Sequence, residues 1–154
     1  MIDFGAVELS QQLLVIINAA IAAVLGSAIG WERDRAGKSV GPRTMALVGA
    51  SAAAIVNIGQ ILDINAKYGD PTRAMHAIIT GIGFLGAGLI FQTRDSGTKG
   101  VTTAATVFAT AAMGCAVGLG FQIASVGLTL IILVVLRSTH VLEITAIRRH
   151  DDND

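Results

Sequence analysis

The sequence predicts an all-α membrane protein, a bundle of about five transmembrane helices packed through glycine and alanine. Hydrophobic residues make up 53% of the 154 residues, charged residues make up only 14%, and the mean hydropathy is +0.66. Soluble domains rarely have so apolar a composition. The charged residues also lie between long uncharged runs, and most of the 18 glycines fall inside those runs.

The uncharged runs predict the number of helices. They cover residues 9–31, 44–62, 74–93 and 100–136. Roughly 20 helical residues cross a hydrocarbon core of about 30 Å, so each of the first three runs is one crossing long. The fourth run is long enough for two crossings, and Gly118-Leu119-Gly120 at its middle offers the backbone freedom that a tight reversal needs.

The placement of Lys and Arg predicts the orientation. With five crossings, nine of the 11 basic residues lie on one side, and only Lys67 and Arg73 lie on the other. Because basic residues favour the cytoplasmic side, we expect the N-terminus outside and the C-terminus in the cytoplasm. Residues 1–137 are predicted to form the transmembrane domain and residues 138–154 a short cytoplasmic tail. No cleaved signal peptide is expected.

The motif GIGFLG at residues 81–86 matches the glycine spacing of dinucleotide-binding loops. Such a loop follows a strand, opens a helix and precedes an acidic residue by about 20 positions. Here the flanking residues are apolar and no acid occurs at that distance, so no nucleotide is expected. Small residues instead let helices touch in lipid. They lie on two opposite faces of this third helix, which predicts that it is the buried centre of the bundle.

Glycines four residues apart recur in the first and fourth helices, at Gly26 with Gly30 and at Gly114 with Gly118. This spacing lets two helices approach closely in a membrane. Two interpretations remain open: the glycines only hold the bundle together, or the thin helices leave a path or permit sliding. The predicted packing glycines are Gly26, Gly30, Gly81, Gly83, Gly86, Gly88, Gly114, Gly118 and Gly120.

Charged residues at both ends of the bundle are candidate functional residues. Asp70 followed by a proline is typical of a helix N-cap, and the alternative is that Asp70 and Arg73 form an outside-facing ionic gate or binding site. On the cytoplasmic side, Glu32 and Arg33 lie at the hydrophobic boundary. Ionisable groups so close to the hydrocarbon often serve a site, although membrane anchoring is the simpler role. Arg43 and Thr44 open the next helix and belong to the same candidate set.

Threonines are the candidate polar residues of the fourth helix. Thr102 and Thr103 can cap its start, and Thr106 continues toward a neighbouring helix or a polar cavity. No Cys or His cluster has zinc spacing, and the G-x-S-x-G and H-E-x-x-H signatures are missing. We therefore expect no enzyme, no cofactor and no metal site. A formal net charge of zero and the lack of a basic stripe argue against a nucleic-acid partner.

Six segments carry a family resemblance: GSAIGWERDR (26–35), GPRT (41–44), DPTR (70–73), GIGFLGAG (81–88), KGVTTAAT (99–106) and AAMGCAVGLG (111–120). In this order they resemble the signature blocks of the MgtC/SapB family of bacterial membrane proteins, over about residues 10–137. The resemblance implies an inner-membrane protein of roughly five helices, linked to growth at low magnesium, virulence or acid resistance and described as a candidate magnesium transporter. Many members carry a cytoplasmic C-terminal domain, whereas 17 residues follow Arg137 here, so we do not expect that domain's function.

Magnesium chemistry separates two hypotheses. Mg²⁺ prefers octahedral oxygen ligands, holds its waters and is commonly bound through carboxylates, and the apolar runs contain none. We therefore favour a regulatory or interaction module that docks against a second copy, as a homo-oligomer, or against another membrane protein. The resemblance implies ATP synthase or transporters as such partners. The alternative is a transporter or channel for a small ion or solute, with the charged residues of the helix ends at its two mouths.

Overall fold

Five helices account for nearly all of the structure, as the apolar runs predict. The computed structural model describes residues 7–66, 70–93 and 97–151, with side chains described over residues 7–63, 70–91 and 98–138. The helices are α1 (Leu9–Arg35), α2 (Pro42–Ala66), α3 (Pro71–Leu89), α4 (Val101–Gly118) and α5 (Gln122–Asp151). The predicted all-α class with five helices is confirmed.

The start of α3 is a capped helix N-terminus. Oδ1 of Asp70 accepts hydrogen bonds from the backbone N–H groups of Thr72, at 2.8 Å, and Arg73, at 3.4 Å. Pro71 occupies the first turn, where its missing N–H costs nothing. The predicted N-cap is confirmed.

The reversal between α4 and α5 is a glycine turn. Gly120 has φ of 86°, a left-handed angle that other residues adopt only with strain. Its N–H donates to the carbonyl of Val117, and the N–H of Phe121 donates to the carbonyl of Ala116, both at 2.9 Å. These two bonds form a Schellman motif, which satisfies the last carbonyls of α4. The reversal predicted at Gly118-Leu119-Gly120 is confirmed. The prediction that Gly120 also packs against a helix is wrong, because a Cβ there would meet nothing within 4 Å.

The connection between α3 and α4 contains a short hairpin that the sequence did not predict. Strand β1 (Phe91–Thr93) pairs antiparallel with β2 (Gly97–Lys99). Gly100 follows with φ of 91°, and a Cβ there would overlap the carbonyl oxygen of Leu89. The apolar run of residues 74–93 therefore does not form one continuous helix, because its last three residues form strand β1 of the hairpin.

α4 lies at the centre of the bundle. In the most apolar stretch of α4, 61% of the residues are buried, compared with 44% for Pro42–Asp63 in α2 and 28% for α1. Gly114 packs on the backbone of α2, where a Cβ would overlap the carbonyl oxygen of Gly49. A Cβ on Gly118 would lie 2.5 Å from the carbonyl oxygen of Ala53. Such contacts bring the two helix backbones together, as small residues do in membrane bundles.

The contact between α1 and α2 also depends on glycine. A Cβ on Gly26 would overlap the carbonyl oxygen of Met45, and one on Gly30 would lie 2.7 Å from the carbonyl oxygen of Gly41. α2 also contributes a glycine to this contact: a Cβ on Gly49 would lie 2.8 Å from the carbonyl oxygen of Ala22 in α1. Glycines from three helices therefore share one continuous seam through α1, α2 and α4.

The prediction that the third helix forms the buried centre is wrong for this chain. Cβ atoms added at Gly81, Gly83 and Gly88 would meet nothing within 4 Å, and one at Gly86 would make only an ordinary contact with Ala104. α3 instead buries Ile78 and Ile82. The physical reason is area: branched side chains bury far more apolar surface than glycine does, so they face the core and the glycines are left open.

Within the described residues, three helices are long and apolar enough to cross a bilayer: α1, the Pro42–Asp63 part of α2, and α4. The shorter apolar segment Gln122–Ser138 belongs to α5. These spans confirm a membrane protein, while five crossings and the orientation of the termini stay predictions. Of the charges used to orient it, Lys67 and Arg94 lie outside the described residues. α5 continues unbroken past the predicted domain boundary at residue 137, and residues 152–154 of the predicted tail lie outside the described part.

Candidate functional site

The last turn of α1 contains a buried ion pair. Nε and Nη2 of Arg33 both lie 2.6 Å from Oε2 of Glu32, and the Arg33 side chain is only 3% exposed. Burying the two charges together avoids the large cost of leaving either one unpaired. Arg33 also lies at the C-terminal end of the helix, where the dipole favours a cation. Glu32 and Arg33 therefore form a single structural unit.

A groove opens beside this pair, between the C-terminal end of α1 and the middle of α5. Its volume is about 660 Å³, and we call it the basic groove. The guanidinium of Arg35 lies over the Trp31 ring, 5.4 Å from the centroid, a favourable cation–π distance. Its wall includes Ala28, Trp31, Glu32 and Arg35 from α1, and Leu133, Val134 and Arg137 from α5.

The other candidate charges do not converge on this groove. Arg43 and Thr44 are exposed in the first turn of α2, and neither lines the basic groove. Asp70 and Arg73 lie at the start of α3, which follows the far end of α2. The structure therefore places the charged candidates in two groups at opposite ends of the bundle.

Asp70 is held as a carboxylate by its capping bonds. The Thr72 hydroxyl donates to Oδ1 at 2.6 Å, in addition to the backbone bonds that begin α3. That hydroxyl, followed by the amides of Thr72 and Arg73 and the Arg73 charge, lowers the pKa of Asp70 below its ordinary value of 3.8. The side chain is exposed, so its ionised form is both stable and accessible.

The prediction that Thr102 and Thr103 cap α4 is wrong, because the N-cap is Gly100 and no side-chain capping hydrogen bond is present there. Three of the four threonines of α4 are buried instead, and two of these bond to their own helix. Thr103 and Thr106 are buried, whereas Thr102 is exposed. The Thr106 hydroxyl donates to the carbonyl of Thr102 at 2.7 Å, and the Thr110 hydroxyl donates to that of Thr106 at 2.8 Å. Their hydrogen-bonding capacity is therefore largely used within the helix.

A buried amide cluster lies near the reversal between α4 and α5. Gln122 donates through Nε2 to Oδ1 of Asn18 at 3.0 Å, and Asn57 donates through Nδ2 to the carbonyl of Gly118 at 3.1 Å. The side-chain oxygens of Asn57 and Gln122 are buried and accept no hydrogen bond from the described part of the chain. Sequence alone did not reveal this cluster, because its members are 104 and 61 residues apart. The feature of the sequence that could have pointed to this cluster is that amide side chains are rare inside apolar runs.

Comparison with known proteins identifies the family. The sequence model of the MgtC family matches residues 19–144. YhiD of Escherichia coli K12, named as a candidate magnesium transporter, is 35% identical over 132 residues, covering 82% of this chain and 61% of YhiD. MgtC of Brucella abortus is 38% identical over 132 residues, covering 83% of this chain and 54% of that protein.

SapB of Bacillus subtilis is a third relative, 33% identical over 116 residues, or 70% of this chain and 48% of SapB. The chain thus spans between 48% and 61% of the length of these three relatives. No solved structure matches it significantly. Since the family match extends over most of its length and includes both the ion pair and the glycine seam, the chain belongs to the MgtC family.

Proposed function

We propose that the chain is a regulatory or interaction module of the bacterial inner membrane, linked to magnesium and ion homeostasis. In this proposal the open face of α3, defined by Gly81, Gly83 and Gly88, docks against a second copy or another membrane protein. The family resemblance points to ATP synthase or a transporter as the second kind of partner. The name of YhiD supports the magnesium link.

The observation that carries the proposal is the unfilled surface around α3. Beside its open glycines, Phe84 is 81% exposed. Apolar grooves of about 430 and 250 Å³ flank the helix, against α2 on one side and against α4 on the other. Each glycine costs about 1 kcal/mol of helix propensity relative to alanine, and close contact with another helix is what offsets that cost in lipid.

Direct magnesium transport has less support from the side chains. Among the described residues, no group of three or more His, Cys, Asp and Glu side chains could hold a metal ion. The grooves beside α3 are lined by apolar residues apart from Ser51, and the basic groove lacks Arg43, Asp70 and Arg73. A hydrated Mg²⁺ needs acidic or other oxygen ligands along its path.

The runner-up function is a transporter or channel for a small ion or solute. The name of YhiD favours it, and so does the buried ion pair of Glu32 and Arg33, since ionisable groups near the hydrocarbon often mark a pathway. In this alternative the Asp70 end would form the opposite mouth.

Assembly is tested by Gly83→Leu with Gly127→Leu as the matched control. Both glycines are helical, and a Cβ at either would meet nothing within 4 Å, so the two positions are matched in the space that a new side chain enters first. We expect Gly83→Leu to reduce self-association or co-purification with a membrane partner while folding is retained. Equal assembly of both variants and the wild type would contradict the proposal.

Transport is tested by Mg²⁺ entry into liposomes that contain the purified chain and a trapped magnesium dye. The module predicts no entry above that of empty liposomes. Reproducible entry that disappears in Asp70→Asn would favour the transporter instead. This variant keeps the capping oxygen and removes the charge, so its effect reports on the pathway rather than on folding.

A further inference from the structure

We propose that the basic groove between α1 and α5 is a binding site for an anionic phospholipid. The phosphate would lie between the guanidinium groups of Arg35 and Arg137, and an acyl chain would lie along the aliphatic wall. This site is separate from the open face of α3, and its occupant does not depend on which function the chain performs.

The groove lies at the level of the membrane where lipid headgroups are found. Trp31 ends the first uncharged run and Arg35 follows it, while Arg137 directly follows the fourth run. Both arginines therefore lie where the hydrocarbon ends, the level at which tryptophan and long cationic side chains are enriched in membrane proteins. Phospholipid phosphates lie at this same level.

The charges in the groove leave a net positive site. Glu32 lines it, but the Glu32 carboxylate is already paired with Arg33, which is buried and is not part of the wall. That pair is the single ion pair among the described residues. Arg35 and Arg137 therefore face the groove as two uncompensated cations, and basic pockets between membrane helices attract anionic headgroups.

The rest of the wall favours a lipid over a soluble phosphate. Leu133 and Val134 continue from the arginines into the apolar part of α5, and Ala28 continues into that of α1. A soluble phosphate compound would leave this wall uncovered, whereas an acyl chain would cover it. A volume of about 660 Å³ suits a headgroup with part of one chain and lies within the usual range of ligand sites, roughly 300–1,000 Å³.

The only tryptophan in the chain, Trp31, serves as the reporter. The purified chain is reconstituted into two sets of vesicles with the same mixture of phosphatidylglycerol and phosphatidylcholine. Only the phosphatidylglycerol is brominated in one set, and only the phosphatidylcholine in the other. Since surface charge is identical, stronger quenching by brominated phosphatidylglycerol measures preference for the anionic lipid beside Trp31.

We expect such a preference in the wild type and a decrease of about five-fold in Arg137→Gln, the effect of one cation near an anionic lipid. Arg137→Gln leaves the contact between Arg35 and Trp31 untouched. Lys38→Gln removes an exposed charge next to the same end of α1, outside the groove, and should leave the preference unchanged. Val134→Phe narrows the groove without changing charge and should also lower the preference.

Equal quenching of the wild type by the two brominated lipids would overturn the site. So would a preference that persists in both Arg137→Gln and Val134→Phe. Soluble glycerol phosphate is added as a competitor to distinguish the two sources of phosphate. Loss of the preference at millimolar concentration would overturn the lipid assignment, and an unchanged preference would support it.

Discussion

At the scale of single residues, the buried pair of Glu32 and Arg33 depends directly on its two side chains. Both charges are withdrawn from solvent, at 10% and 3% exposure, and each compensates the other. The sequence shows that the two residues are adjacent. It does not show that both are buried, because neighbouring residues on a helix usually point in different directions.

Breaking the pair should destabilise the chain more than removing it. We expect Arg33→Gln to lower the free energy of unfolding by about 3 kcal/mol, because it leaves the Glu32 carboxylate buried and unpaired. The double variant Glu32→Gln with Arg33→Gln should recover part of that loss. Unfolding of all variants in mixed micelles measures the coupling, and strictly additive losses would show that the pair is not a unit.

The capping carboxylate of Asp70 should make the start of α3 sensitive to acid. Its pKa is lowered in the folded state, so its stabilising contribution is complete above the ordinary value of 3.8 and is lost as the pH falls through the folded value. Hydrogen exchange at the amides of Thr72 and Arg73 should therefore show increasing opening as the solution becomes strongly acidic. Asp70→Asn keeps the acceptor oxygen but does not titrate there, and an identical pH profile would refute this link.

At the scale of helices, the same residue type has opposite roles in α4 and α3. Gly114 allows backbone contact with Gly49 of α2, whereas Gly83 faces open space. Both occur in glycine-rich apolar segments, so their composition does not distinguish them. The difference is whether a neighbouring helix approaches, which depends on where the larger side chains are buried.

Alanine substitutions at these two glycines should change stability in opposite directions. Gly114→Ala should destabilise the fold by about 1–3 kcal/mol, because the new Cβ overlaps a carbonyl that cannot rotate away. Gly83→Ala should be neutral or stabilising by up to about 1 kcal/mol, since only helix propensity changes. Thermal unfolding of monomeric protein in detergent compares the two, and equal losses would contradict the assignment of α4 to the centre.

At the scale of the whole molecule, orientation across the membrane follows from charge rather than from packing. We expect the loop between α1 and α2 to face the cytoplasm and the turn between α4 and α5 to face outside. The chain has a single cysteine, the buried Cys115, so a Cys115→Ala background allows one new thiol at a time. Ser39 and Phe121 are exposed in these two connections.

Labelling with a membrane-impermeant maleimide tests this orientation in intact cells. Phe121→Cys should react directly, whereas Ser39→Cys should react only after the inner membrane is permeabilised. The reverse pattern would place the N-terminus inside. Reaction of both positions without permeabilisation would instead contradict an odd number of crossings between them.

The five helices, the N-cap of α3 and the glycine reversal follow from the sequence alone, whereas the N-cap of α4 does not. Charge is costly in hydrocarbon, so the uncharged runs mark the apolar segments, and local backbone rules place Asp70 at a helix start and Gly120 in a turn. These effects act within a few residues or between chain and lipid, and need no knowledge of neighbours.

The centre of the bundle, the amide cluster and the basic groove were decided only by tertiary structure. Two helices with similar small-residue faces compete for the interior, and the outcome depends on how all five fill space together. Asn18 and Gln122 meet across 104 residues, and Arg35 and Arg137 line one groove only because the end of α1 lies beside the middle of α5. Close packing is a property of pairs of surfaces, and the pairs exist only once the chain has folded.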